Sequence, residues 1–116
     1  MTPDRFRRLA LEQPASEERA HHDHPDFRVD GKIFATLGPV DSGDERGRWA
    51  MLRLPADNQA ALVDLDPEAY EPMPGAWGKQ GCTRVWLARA KVKDLAPYFR
   101  NAWRHRATAR TRKAYE

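Results

Sequence analysis

Along this chain the apolar positions switch between a spacing of three to four and a spacing of two, and the switches predict the elements. Phe6, Leu9, Ala10 and Gln13 recur at helical spacing. Before them stand Thr2 as an N-cap, Pro3 at the first helical position and Asp4 in the first turn, and Pro14 ends the helix. From Ser16 to Asp30 the pattern turns extended, and His24-Pro25 reads as a turn or bulge ahead of Phe27-Arg28-Val29. Asp30-Gly31 tolerates positive φ, which predicts a two-residue hairpin into a strand over residues 32–37. A polar loop over 41–47 follows. Residues 48–54 then alternate strictly, with Trp49, Met51 and Arg53 on one face and Ala50, Leu52 and Leu54 on the other.

Pro55 opens a second helix with Asn58, Ala61, Leu62 and Leu65 on one face, ended by Asp66-Pro67. Residues 71–81 are punctuated by proline and glycine around Trp77 and read as an irregular loop, with the indole expected to anchor it. Residues 82–88 predict a strand with Thr83, Val85 and Leu87 on one face. Asp94 is the expected N-cap of a last helix with the stripe Leu95, Phe99, Ala102, Trp103 and Arg106. Helix, strands, helix, strands, helix in this order imply an α+β fold, a twisted antiparallel sheet flanked by helices. The chain suits one domain over residues 1–116, with 108–116 a basic C-terminal tail.

Charge changes the picture. Residues 1–83 hold 10 Lys/Arg against 15 Asp/Glu, whereas residues 84–116 hold 10 against 2, so the two parts carry −5 and +8. Such asymmetry points to an acidic partner, DNA or RNA before others. A single cysteine, Cys82, excludes an internal disulfide, and no stretch has the run of apolar residues a membrane span requires. The first residues lack a signal-peptide core, so a cytoplasmic protein, monomer or small homo-oligomer, is expected.

His24-Pro25-Asp26-Phe27-Arg28-Val29, Gly31-Lys32-Ile33-Phe34-Ala35-Thr36-Leu37, Gly75-Ala76-Trp77-Gly78 and Ala102-Trp103 form an ordered series. With them the chain resembles the MmcQ/YjbR family over nearly its whole length. The resemblance implies a fold similar to CyaY/frataxin proteins, also described as a double-wing arrangement, and a DNA-binding role. It implies no catalytic residues. Relatives commonly carry an aromatic where this chain has Cys82.

Catalysis finds no support in the residues. Ser16 and Ser42 lie in polar segments without a nucleophile elbow, and Cys82 has no evident base. Gly75, Gly78 and Gly81 match neither a dinucleotide fingerprint nor a P-loop. His21, His22, Asp23, His24 and Asp26 are a dense set of donors, but their spacing is not that of a structural zinc site, and exposed or turn-forming histidines are the reading preferred; no metal or cofactor is assigned. The residues expected to contact nucleic acid are Lys32, Lys79, Arg100, Arg104, Arg110, Arg112 and Lys113. The rival expectation is a protein-interaction or small-ligand adaptor using a pocket of Arg28, Lys32, Trp77 and Thr83.

Overall fold

A computed structural model describes residues 1–21 and 24–116. The elements are α1 (Pro3–Leu11), β1 (Glu17–His21), β2 (His24–Val29), β3 (Lys32–Leu37), β4 (Trp49–Arg53), α2 (Ala56–Leu65), β5 (Tyr70–Pro72), α3 (Ala76–Lys79), β6 (Cys82–Trp86), α4 (Val92–Arg106) and α5 (Ala109–Tyr115). The strands form one antiparallel sheet in the order β1-β2-β3-β4-β6-β5. The fold is therefore α+β, as the alternation of apolar periods implies.

The alternation in β4 decides the two faces. Ala50 and Leu52 are fully buried and pair with Val85 and Thr83 of β6, whereas Trp49, Met51 and Arg53 are partly exposed and pair with Trp86, Arg84 and Cys82. α1 and α4 pack on the first face. There Phe6 meets Phe99 edge-on with centroids 4.8 Å apart, and Phe27, Leu37, Leu95 and Trp103 complete an interior with no solvent exposure. The buried aliphatic and aromatic side chains there each contribute about 1.5–3 kcal/mol of transfer free energy, which is what holds α4 to the sheet. The second face carries no long helix among the described residues, and it is the open face below.

Asp30-Gly31 turns with φ of 54° and 75°, the left-handed pair a tight hairpin requires. Between Phe27 and Arg28 the register shifts: Arg28 faces Ile33 but Phe27 faces Ala35, so Phe34 is an extra residue. Phe34 and Ala35 are both fully buried as a result. Ile33 and Thr36 are thereby left to the open face, where Ile33 joins Arg28 and Thr36 joins Asp26.

Several expectations are corrected. His24 and Pro25 lie inside β2, paired with His21 and Ala20, and the bulge sits at Phe34 instead; His22 and Asp23 lie outside the described residues. In α2 only Leu62 is buried, while Leu65 is 56% exposed. The helix stands over the sheet edge and engages through Gln59, whose amide donates to Gly78 O, Cys82 O and Thr83 Oγ1. The irregular loop contains β5 and the short α3. Asp94 is not the cap of α4: Lys91 is, and the Tyr70 hydroxyl accepts from Lys91 N at 3.2 Å where no capping side chain stands. Within the basic tail, residues 109–115 form a helix. Thr108 caps it, accepting from Thr111 N.

Candidate functional site

Two depressions adjoin at the end of β4. The first, an open cavity of about 400 Å³ on the open face, has an apolar floor of Ile33, Met51 and Cys82 beside Thr36. Arg28, Lys32, Arg53 and Arg106 line it, and Trp77 stands at it with 65% of its surface exposed. The second, of about 310 Å³, is polar and lined by Asn58, Asn101, Arg104, His105 and Arg112 with Pro55. No carboxylate lines either among the described residues.

The fold gathers these cations from distant segments. Arg28 is fixed by a bidentate pair with Asp26, Nε to Oδ1 at 2.9 Å and Nη2 to Oδ2 at 3.1 Å. That hydrogen-bonded pair raises the guanidinium pKa further above its ordinary value, and the Asp26 carboxylate is fully buried. Arg106 ends α4 and donates from Nε to Ile33 O at 3.1 Å, which carries its charge across to the hairpin. Arg53, beside Cys82 in the ladder, stands close enough to His105 and Arg106 to disfavour their protonated forms. Burial is the larger cause in both and Arg53 the next, so both titrate below their ordinary values. Like charges therefore crowd at the seam between the depressions. Two buried polar atoms on the cavity wall, His24 Nδ1 and Arg53 Nε, have no hydrogen-bond partner among the described residues.

Trp77 is displayed on a firmly held turn. Gly75 and Gly81 take φ of 67° and 99°, and a Cβ on Gly78 or Gly81 would come within 2.0 Å of Met73 O or 1.9 Å of Leu54 O. The expectation of an anchoring indole is corrected: the glycines hold the turn, and the ring is left outside.

The remaining open face is closed by side chains. Arg46 of the 41–47 loop stacks 4.0 Å over Trp86, whose Nε1 donates to Glu71. Arg46 also holds Asp44 well below the usual carboxylate range. Arg84 sits between Trp49 and Trp86 and pairs with Glu71 at 3.3 Å. These contacts hold the loop down over Trp86.

The sequence-derived set separates. Lys32 lines the cavity, and Arg104 and Arg112 line the polar depression. Arg100 turns elsewhere: Nε donates to Gln13 Oε1 at 2.7 Å, Nη1 stands 3.9 Å from Glu116, and the guanidinium lies 5.1 Å from the Trp103 ring. Arg104 also pairs with Glu116, at 2.9 Å. Arg110 and Lys113 are exposed on α5, and Lys79 is exposed at the end of α3. Of the pocket set, Arg28, Lys32 and Trp77 do come together, but Thr83 does not join them. It faces the helices, fully buried, donating to Gly81 O, and its neighbour Cys82 takes the place on the floor. Arg53 and Arg106 complete the cavity and were not among the expected residues.

Cys82 is buried, and burial pushes its thiol up, away from the thiolate that nucleophilic chemistry needs. No group of three His, Cys, Asp or Glu side chains among the described residues is placed to hold a metal ion. No helix among them is long and apolar enough to cross a membrane.

Fold and site together define a small α+β domain with one covered sheet face and one open, cation-lined face. The YjbR family model matches residues 11–105, most of the chain, and the protein belongs to the YjbR family. No curated protein and no solved structure matches it.

Proposed function

We propose that this YjbR-family domain is a non-enzymatic nucleic-acid-binding module whose phosphate-contacting surface is the band through both depressions. One observation carries the reading: Lys32, Arg53, Arg106, Arg104 and Arg112 border two adjoining hollows that no carboxylate lines among the described residues. Crowded cations raise the energy of the unliganded protein, and a phosphate backbone relieves that repulsion while releasing its own counterions. The seam is the part that fits this best: Arg53 of β4 stands beside His105 and Arg106 there, and adds to the burial that chiefly depresses both.

The footprint differs from a simple basic end. Arg100 leaves it, because it lines neither depression and donates to Gln13 Oε1, and Arg53 and Arg106 enter it. The raised thiol of Cys82 speaks against a nucleophilic role for it.

The test is fluorescence anisotropy of labelled duplex and single-stranded DNA at about 50 and 200 mM salt. The double substitution Arg104→Ala with Arg112→Ala should weaken binding and flatten its salt dependence, whereas Lys93→Ala, exposed and outside the band, should leave both unchanged. Equal binding by all three proteins sinks the reading.

A further inference from the structure

We propose that the open-face cavity receives an unpaired nucleobase stacked on Trp77, with the attached phosphate held by Lys32, Arg53 and Arg106. The inference deepens the nucleic-acid reading and rests on it for the surrounding strand.

Three features of the cavity converge on that ligand. The indole is presented, not buried, and its backbone is immobilised by glycines whose close approaches admit no side chain. A fixed, exposed aromatic beside a hollow provides one wall of a stacking slot, and every nucleobase has a face to offer it. The hollow's floor, Ile33, Met51 and Cys82, is apolar, and its volume of about 400 Å³ lies in the range that small-molecule sites occupy. Arg28 is paired with Asp26, but Lys32, Arg53 and Arg106 line the same hollow without an ion-pair partner among the described residues, so a ligand with an anionic end and a flat, apolar end complements it.

Polar valences support the same orientation. Arg53 Nε is buried and unpartnered among the described residues, a donor whose desolvation is uncompensated until an acceptor arrives. His24 Nδ1 is in the same condition, and Thr36 adds a hydroxyl on the floor, so the edge of a base has partners as well as its face. A paired base cannot use these groups, because its edge is already engaged and its faces are covered by neighbours. The cavity should therefore favour single strands, while the polar depression beside it, with Arg104 and Arg112, serves phosphates of either form.

Titrate the full chain with a short oligothymidylate, with its duplex with oligoadenylate, and with thymidine monophosphate, following tryptophan emission and anisotropy. Wild type should bind the single strand more tightly than the duplex and quench in the process. Trp77→Ala should weaken single-strand and mononucleotide binding about tenfold or more. Duplex binding should be untouched, and Trp77→Phe should recover much of the loss. Circular dichroism should report an unchanged fold, because the indole is exposed. If duplex and single strand bind equally and Trp77→Ala changes neither, the base-slot inference falls and the nucleic-acid reading stands. If only the mononucleotide binds, in a Trp77-dependent way, the nucleic-acid reading falls and the slot stands. Binding of none of the three overturns both.

Discussion

Asp30 lies at the tip of the β2–β3 hairpin, yet its carboxylate is what docks α5. Oδ2 accepts from Thr108 N and Oδ1 from the Thr111 hydroxyl, each at 2.8 Å. α5 has seven residues and buries none of them, and a helix that short is marginal by itself in water. Asp30→Gly removes both acceptors while keeping the positive φ of the turn, since glycine adopts it without strain. Hydrogen bonds to a charged acceptor contribute about 1.5–3 kcal/mol when sheltered, and both of these are exposed, so about 1–2 kcal/mol for the pair is the expected loss. That lowers the docked-to-frayed ratio of α5 by a factor of about 5–30. Amide hydrogen exchange over residues 109–115 should accelerate by that factor, with the sheet amides unchanged. Arg112, whose Nη1 donates to Arg104 O, should then leave the polar depression, and DNA affinity should fall with it. The sign with pH follows from the same bonds. They lower the Asp30 pKa below its ordinary 3.8, so the latch is at full strength above that value and is lost as pH falls below it. Unchanged exchange over 109–115 in Asp30→Gly would refute the reasoning.

Two further outcomes are expected. His105, depressed by burial and then by Arg53 and Arg106, is stable as the neutral ring. The free protein should therefore lose stability as pH falls below the ordinary 6.5, while DNA affinity should rise over the same interval as the ring gains charge; His105→Ala should abolish the rise, and a persistent rise assigns it to another group. Gly81→Ala forces a Cβ to within 1.9 Å of Leu54 O at φ 99° and should cost about 3 kcal/mol or more, read as a lowered urea midpoint, whereas Gly31→Ala, with open space and only an unfavourable φ, should cost about 1 kcal/mol.

What was legible in the sequence is what neighbours in the chain decide. Asp30-Gly31 sets its own turn, and the alternation from Trp49 to Leu54 sets two faces whatever surrounds them. The stripe of Leu95, Phe99, Ala102 and Trp103 is likewise local, and all four are fully buried. What escaped is set by contacts between distant segments. The N-cap residue of α4, Lys91, donates its N–H to the Tyr70 hydroxyl 21 residues away, and α5 is latched by a carboxylate 78 residues before Thr108. Alternation separates Thr83 from Cys82 but does not say which of them the helices cover, so Thr83 was placed in the pocket that Cys82 lines. Arg53 carried a usable signal: a cation on the same strand face as Trp49 and Met51 marks the end where that face meets charge. Arg106 did not, because its position in an apolar stripe conceals a guanidinium that reaches Ile33 O.

The central claim is that the seam between the two depressions is a phosphate site, and Arg53 is the residue common to its crowding. Arg53→Met keeps an unbranched stem and removes the guanidinium and its charge, so the fold should be retained and the His105 pKa should rise toward its ordinary value. The decisive measurement is the slope of log affinity against log salt for duplex DNA, in wild type and Arg53→Met. Loss of one phosphate contact should reduce the slope by about 0.9, with weaker binding throughout. An unchanged slope and affinity, with His105 shifted as expected, would contradict the claim, because the crowded charge would then exist without a phosphate to meet it.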